Sequence, residues 1–453
     1  MTTYGSLIDN VRAALDWAFA PGGDAAIGVA LTIAAVPLWL NMSLMDECCR
    51  RVKSALENCG AGANQAAHHR MQLFTALGVA LYSIGPGPEA KAAWSEVFEI
   101  AESLDDTDHL LRALWGLWVV CVTGGKHRPG LSLARRFTRI ATRAADSVAL
   151  IVGERLIGTS LHFLGEHANG KRHIERTLDD SLASNSRTHI IRFQFDQSVS
   201  ANAYLARILW LQGYPDQARR AAERSVAQAQ ALNHSLSLCY ALGSAACPIA
   251  LLVGDMAAAE RNVSMLIEHS ETNILQLWHI MGQCFKGVLD IKCGNRDAGL
   301  QSLFAALGAL HDAGFALYHT AALAEFAEGL AAAGEIARGH LAIDRALAQA
   351  RRNEERWCLP ELLRIKGKLL SLEANRGSTI AAENHLLESL DWARRQGALS
   401  WELRAAVSLA RLRQGKSCAS EARDLLAPSY ARFTEGFETA DLKTAKQLLN
   451  ELA

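Results

Sequence analysis

The stretch "LARILWLQGYPDQA", residues 205–218, decides how the chain is read. An apolar run of good helix formers stops at Gly213, a Tyr-Pro-Asp turn follows, and a second helix opens toward Ala218. With Gly213 as anchor, turn glycines stand at 85, 125, 165, 213, 254, 294 and 334, in steps of 40, 40, 48, 41, 40 and 40 residues. Five residues after each anchor stand Ala90, Gly130, Gly170, Ala218, Ala259, Gly299 and Gly339. Seven residues before each stand Gly78, Trp118, Gly158, Ala206, Cys247, Gly287 and Ala327, all small except Trp118. Antiparallel helices approach to about 8 Å only where the side chains at their crossing are small, so the two sets predict one crossing per hairpin. Nine residues after the anchors, Trp94, Ala134, Ile174, Ala222, Val263, Leu303 and Ile343 predict the core face of each second helix.

This is the grammar of tetratricopeptide-like units, which stack into a superhelix. Asn202 stands where an aromatic is usual, and the units are longer than the usual 34 residues. Fainter copies turn near Gly377 (with Ala382) and Gly415 (with Ser408 and Ser420), and an irregular one turns near residues 41–43. The expected fold is therefore all-α: a right-handed superhelical solenoid of about ten hairpins. The one long step falls at residues 181–198, which read as an extended connection and a hinge.

Composition agrees with helix and narrows function. The chain is Ala-rich, 50% hydrophobic, and has nine prolines in 453 residues. Lys plus Arg, 46, nearly equals Asp plus Glu, 47, so no uniform field draws it to nucleic acid or an anionic membrane. The apolar run "AAIGVALTIAAVPLWL" (25–40) is shorter than the roughly 20 residues a bilayer crossing needs, and reads as a buried helix. Ten cysteines without CxxC pairs and an opening without signal-peptide character suggest a reducing cytoplasm.

Six segments go beyond generic repeat grammar: "YGSLIDNVRAALDWAF" (4–19), "HIIRFQFDQ" (189–197), "SLCYALGSAACPIALLVGD" (237–255), "PELLRIKGKLL" (360–370), "LDWARRQGALSWELRAAVSLARL" (390–412) and "LLAPSYARFTEGFETADLKTAKQLL" (425–449). They resemble the carboxyl-terminal repeat region of STAND-type signalling ATPases, in which a winged-helix DNA-binding domain or a class III cyclase precedes a P-loop ATPase and the repeats. The resemblance implies an N-terminal helical segment at 1–64 following an ATPase module, then a repeat array at 65–453. It also implies that the ATPase and output modules lie upstream of Met1, so the chain is either a stand-alone repeat protein or the product of a truncated, split or mis-started reading frame.

No catalytic constellation emerges. "GPGPEAK" (85–91) and "TGGKHRPG" (123–130) fail the GxxxxGK[ST] pattern that cradles phosphate and sit at hairpin turns. His162, His167 and His173 are separated by five and six residues rather than the three or four that converge helical ligands on a metal, and read as surface or interhelical hydrogen-bonding groups. There is no GxSxG elbow; Cys247 and Cys284 read as small core residues, while Cys48 and Cys49 are reactive only if exposed. Basic clusters at 134–143, 217–225 and 390–397 read as solvated helix faces or, alternatively, as a partner-binding stripe.

The expected role is non-catalytic, with no metal and no cofactor. A concave surface would recognise a protein, a peptide or a small inducer and serve an ATPase/output module in cis or in trans, without contacting nucleic acid or membrane directly. The alternatives are an autoinhibitory scaffold with no external ligand and a stand-alone adaptor. First helices line the concave face in such arrays, which makes Arg207 and Trp210 the expected groove residues.

Overall fold

The computed structural model describes residues 2–42, 44–60, 64–85, 87–181, 190, 192–373, 376–414 and 419–453. After α1 (Thr2–Ala18), helices pair in chain order: α2 (Ala25–Asn41) with α3 (Met45–Asn58), α4 (Asn64–Ile84) with α5 (Pro88–Leu104), and α6 (Thr107–Thr123) with α7 (His127–Arg143). Next come α8 (Ser147–Phe163) with α9 (His167–Ser181), α10 (Gln197–Leu211) with α11 (Pro215–Leu232), and α12, spanning 235–253, with α13 (Met256–Thr272). The last four pairs are α14 (Gln276–Lys292) with α15 (Arg296–Asp312), α16 (His319–Ala332) with α17 (Ile336–Asn353), α18 (Leu359–Ser371) with α19 (Arg376–Gln396), and α20 (Leu399–Gln414) with α21 (Ala419–Ala431). Helix α22 (Ala440–Glu451) closes the stack. The described residues thus form the expected all-α solenoid of ten hairpins.

Local chemistry sets the boundaries. Asp106, Asp146, Asp196 and Asp255 each cap a helix by accepting a hydrogen bond from the backbone N–H three residues on, a contact worth about 1 kcal/mol. Gly213 turns at φ +89°, a left-handed conformation that costs a residue with Cβ. At the crossings, a Cβ on Gly287 would lie 2.8 Å from Leu303 N and 3.0 Å from Gly299 O, and one on Gly299 would lie 2.8 Å from Gly287 O. Gly158 and Gly170 repeat this close approach. The seven residues read as the core face of the second helices are all buried. Trp94, the large one, has room because Gly78 and Gly116 lie against its indole.

The stacking departs from that of an array in which units touch only their neighbours. Ala316 N donates to Thr123 O at 2.7 Å, Arg356 N to Phe163 O at 2.9 Å, and Ser400 Oγ to Trp210 O. Thr123, Phe163 and Trp210 end the first helices α6, α8 and α10, whose last carbonyls have no partner within the helix. The donors come from the hairpin five places further on, so the superhelix completes a turn in about five hairpins and caps itself. Gly213 sits at this seam, where a Cβ would meet Leu399 at 2.6 Å. Arg128 and Glu354 bridge the same seam on the outside at 2.6 Å.

Helix α12 is apolar over 19 residues, long enough by composition to cross a membrane, but 83% of that window is buried inside the superhelix. Residues 182–189 and 191 of the expected hinge lie outside the described residues. The described end of that connection is tied down: Arg192 bridges Asp108 and Asp146, and Phe193 and Phe195 pack against Trp115. Gly377 lies within α19 rather than at a turn, and Gly415 falls outside the described residues.

Candidate binding groove and cavity

Because the superhelix closes on itself, its inner face is filled by its own aromatic rings. Tyr318 packs on Phe163 and Trp357, and Tyr240 on Tyr204 and Trp278, with centroids 5.7–6.4 Å apart. Arg207 and Trp210 do lie on a first helix facing the axis, but they do not line an open surface: they are only 4% and 3% exposed. Trp210 packs edge-on to Trp401 at 4.6 Å and under Arg404. Arg207 lines an internal cavity.

That cavity, about 90 Å3, lies between α10, α12, α14, α16, α18 and α20. Its wall is mainly apolar, with Leu251, Met281, Phe285, Val288, Ala322 and Leu362 among its residues. Three charged groups also face it: Arg207, Glu325 and Glu361. The cavity shares Leu251 and Leu252 with the wall of a larger groove, about 830 Å3, which runs between α12 and α18, α20 and α22.

The groove carries a ladder of ion pairs. Lys292 pairs with Glu325 at 2.8 Å, and Lys368 with Glu328 at 2.7 Å. Arg364 donates to Glu361 at 2.7 and 2.9 Å and lies 3.4 Å from Glu328. Arg404 joins Glu361 at 3.0 Å to Asp441 at 2.8 Å, and also reaches Leu252 O at 3.2 Å. Burial opposes charge on Glu361 and Glu328, but the facing cations outweigh it and hold both carboxyls below their usual range. The same attraction keeps Lys292, Arg364 and Arg404 protonated against burial. For a pair as buried as Arg364–Glu361, removing one partner leaves an uncompensated charge.

The π-helical turn Leu242–Ala246 inside α12 is a local widening often seen where a helix serves a site. Arg207 Nη1 lies 3.4 Å from Ser244 O within it. The guanidinium also packs on the rings of Tyr318 and Trp357, 4.0 and 4.7 Å from their centroids. A second axial arginine, Arg155, donates to Gln197 Oε1 at 2.6 Å beside a smaller cavity of about 30 Å3.

His162 and His167 are fully enclosed rather than surface groups, with centroids 5.3 Å apart among Phe163, Tyr204 and Trp357. A second helix packs each ring into a core that its own sequence neighbourhood does not reveal. His173 does bond between helices, to Glu154 at 2.7 Å. Among the described residues no cluster of His, Cys, Asp or Glu has metal-binding geometry. Cys48 and Cys49 are buried, which pushes their thiols up to about 12 and about 11 and removes the thiolate reactivity that exposure would allow. The basic clusters ride on the second helices α7, α11 and α19, where Arg139, Arg220 and Arg395 are exposed on the outside.

Sequence reasoning did not single out Lys292, Glu328, Glu361, Arg364 or Arg404. A usable signal was present: "SLCYALGSAACPIALLVGD", "PELLRIKGKLL" and "LDWARRQGALSWELRAAVSLARL" supply Ser244, Leu251, Leu252, Glu361, Arg364, Trp401 and Arg404. Of these, Leu251, Leu252, Arg364 and Arg404 line the groove, Glu361 and Trp401 line the cavity, and Ser244 meets Arg207.

No protein-family model matches the chain, and no curated protein matches it in sequence. Among solved structures, it is similar to the APC/C hetero-tetramer Cut9–Hcn1, with 14% identity over 94% of this chain and 76% of that one, at a TM-score of 0.52. That likeness supports the tetratricopeptide-like solenoid. Lower similarity extends to a STAND protein with a tetratricopeptide repeat sensor from Pyrococcus horikoshii, at 12% identity over 81% of this chain and 50% of that one, TM-score 0.39. A Rap protein complexed with competence and sporulation factor stands at 12% identity over 94% of this chain and 99% of that one, TM-score 0.42.

Proposed function

We propose that this chain is a non-catalytic helical-repeat binding and sensor region of a STAND-type ATPase regulator, and that its ligand, a protein, a peptide or a small inducer, is taken up in the groove between α12 and α18–α22. The observation that carries this reading is the groove itself: paired charges beside apolar side chains, built in part from segments that resemble that family. A ligand that competes for Glu361 or Arg404 would loosen α20 from α12 and α18, which is how occupancy could be passed along the array.

A scaffold that only docks onto its ATPase module is the second reading, favoured by Leu7, Trp17 and Ile27, which are 48%, 57% and 51% exposed near the N-terminal end. Trp39, in the same N-terminal segment, is fully buried and adds nothing to that exposed surface. The test is co-elution of this chain with the separately produced ATPase module of a close relative, alongside calorimetry with ATP and magnesium. Co-elution lost in Trp17→Glu, with no nucleotide bound by the chain alone, is expected. A monodisperse folded chain that does not dock overturns the ATPase-coupled reading. Docking with ATP turnover unchanged by Lys368→Glu/Arg411→Glu, a double variant of two residues on the groove wall, favours the scaffold.

A further inference from the structure

Arg207 is a buried cation with no anion in direct contact. No carboxylate stands within 4 Å of it among the described residues, its Nε is buried without a hydrogen-bond partner, and Nη1 has only the long contact to Ser244 O. The acids around the cavity are committed elsewhere. Glu361 is held by Arg364 and Arg404, and Glu325 by Lys292. Glu355 accepts from Thr320 Oγ1 and, at 2.8 Å, from Trp357 Nε1; it acts on Arg207 only from beyond contact distance, and burial pushes its carboxyl up, which weakens it as a counter-ion. A guanidinium buried in this way costs stability unless something completes it. The space beside it is partly open, mainly apolar and empty of protein, and a π-helical turn and two aromatic rings hold the cation at its edge.

We propose that the cavity is the seat of a small organic acid, whose carboxylate pairs with Arg207 and whose compact body of about four to six carbons fills the apolar space between α12, α14 and α16. A planar guanidinium suits a carboxylate because two parallel N–H donors can meet its two oxygens. The apolar wall excludes a bare inorganic anion, which would leave that wall unfilled and its own hydration lost. The inference rests on the binding reading above and names its ligand class, yet it can fail while docking to the ATPase module succeeds, so the two failures are distinguishable.

The experiment is calorimetry and thermal unfolding of the full chain with butyrate, 3-methylbutyrate and hexanoate, each against its primary amide, with inorganic phosphate as the control anion. Saturable binding of at least one acid and a concentration-dependent rise in midpoint are expected, with the amides weaker by about 10- to 100-fold. Arg207→Met should abolish that preference while leaving the unliganded protein folded with an equal or higher midpoint, whereas an arginine that is only structural would leave a destabilised variant. Ala322→Leu, which fills the cavity and keeps Arg207, should block the acids independently. No acid binding to the folded chain, or equal binding by phosphate or by Arg207→Met, would overturn the proposal. Tighter binding of an N-acetyl dipeptide acid than of 3-methylbutyrate would assign the carboxylate to a peptide end instead, and overturn the free acid.

Discussion

At the scale of single residues, burial decides most of what matters here. His127 and His167 are held down to about 3 and about 4, and His162 well below its ordinary value, chiefly because burial penalises the charged ring. The unfolded chain takes up these protons near pH 6.5 and the folded chain does not. Stability is therefore full above about pH 6.5 and falls as the pH drops toward the folded values, by about 1.4 kcal/mol per pH unit for each ring. Urea unfolding between pH 7.5 and 5 should show this loss, and His162→Phe should reduce its slope; an unchanged slope would mean that other groups drive it. In the ion-pair ladder, Glu361→Ala leaves Arg404 with Asp441 alone and Arg364 with only its longer contact to Glu328, and should cost up to about 3–5 kcal/mol. Arg395→Ala, which breaks an exposed pair with Asp391, should cost less than about 0.5 kcal/mol in the same urea measurement. The composition of these sites was legible in the sequence; their burial was not, because each ring or carboxylate is enclosed by helices distant in the chain.

At the scale of helices and hairpins, the sequence spoke most clearly. Small residues seven before and five after a turn glycine place the crossing, and Gly287 and Gly299 show why: each backbone occupies the space where the other's Cβ would go. Gly308, on the exposed face of α15, has nothing within 4 Å of its Cβ position. The same substitution should therefore act in opposite directions at the two sites. Gly287→Ala should destabilise by about 1–3 kcal/mol through overpacking, and Gly308→Ala should stabilise by about 0.5–1 kcal/mol by removing helix-opposing backbone freedom. Chemical denaturation measures both, and equal effects would contradict the crossing geometry. Trp118, which broke the small-residue pattern, is accommodated because its first-helix position faces Gly130 across the turn and its indole donates to Ser160 at 2.9 Å.

At the scale of the whole molecule, closure after five hairpins changes the mechanics. An open solenoid confines damage to adjacent units. Here Gly213→Ala would strain a left-handed turn and press on Leu399 in the next superhelical turn. Hydrogen exchange should then show lost protection in α10 and α11 and also in α20, although Ser400 and Trp210 lie 190 residues apart. Protection lost only in α9–α12 would mean that the seam contributes nothing to stability. The seam also explains why the expected open concave face is a filled core, and why the accessible groove is confined to the C-terminal hairpins, beyond the first overlap of turns.

The repeat period, the helix type, the hairpin crossings, the caps and the number of units were determined by the sequence alone. Each depends on residues within one or two helical turns or one hairpin of each other, where spacing translates directly into contact. The superhelical pitch was decided only in three dimensions, because it sums a small rotation at every hairpin, and no single position carries that sum. Everything that follows from the pitch shares this property. It brings Trp210 against Trp401, lets Phe163 O cap on Arg356, gathers Glu361, Arg364 and Arg404 into one ladder, and leaves Arg207 facing a cavity instead of solvent.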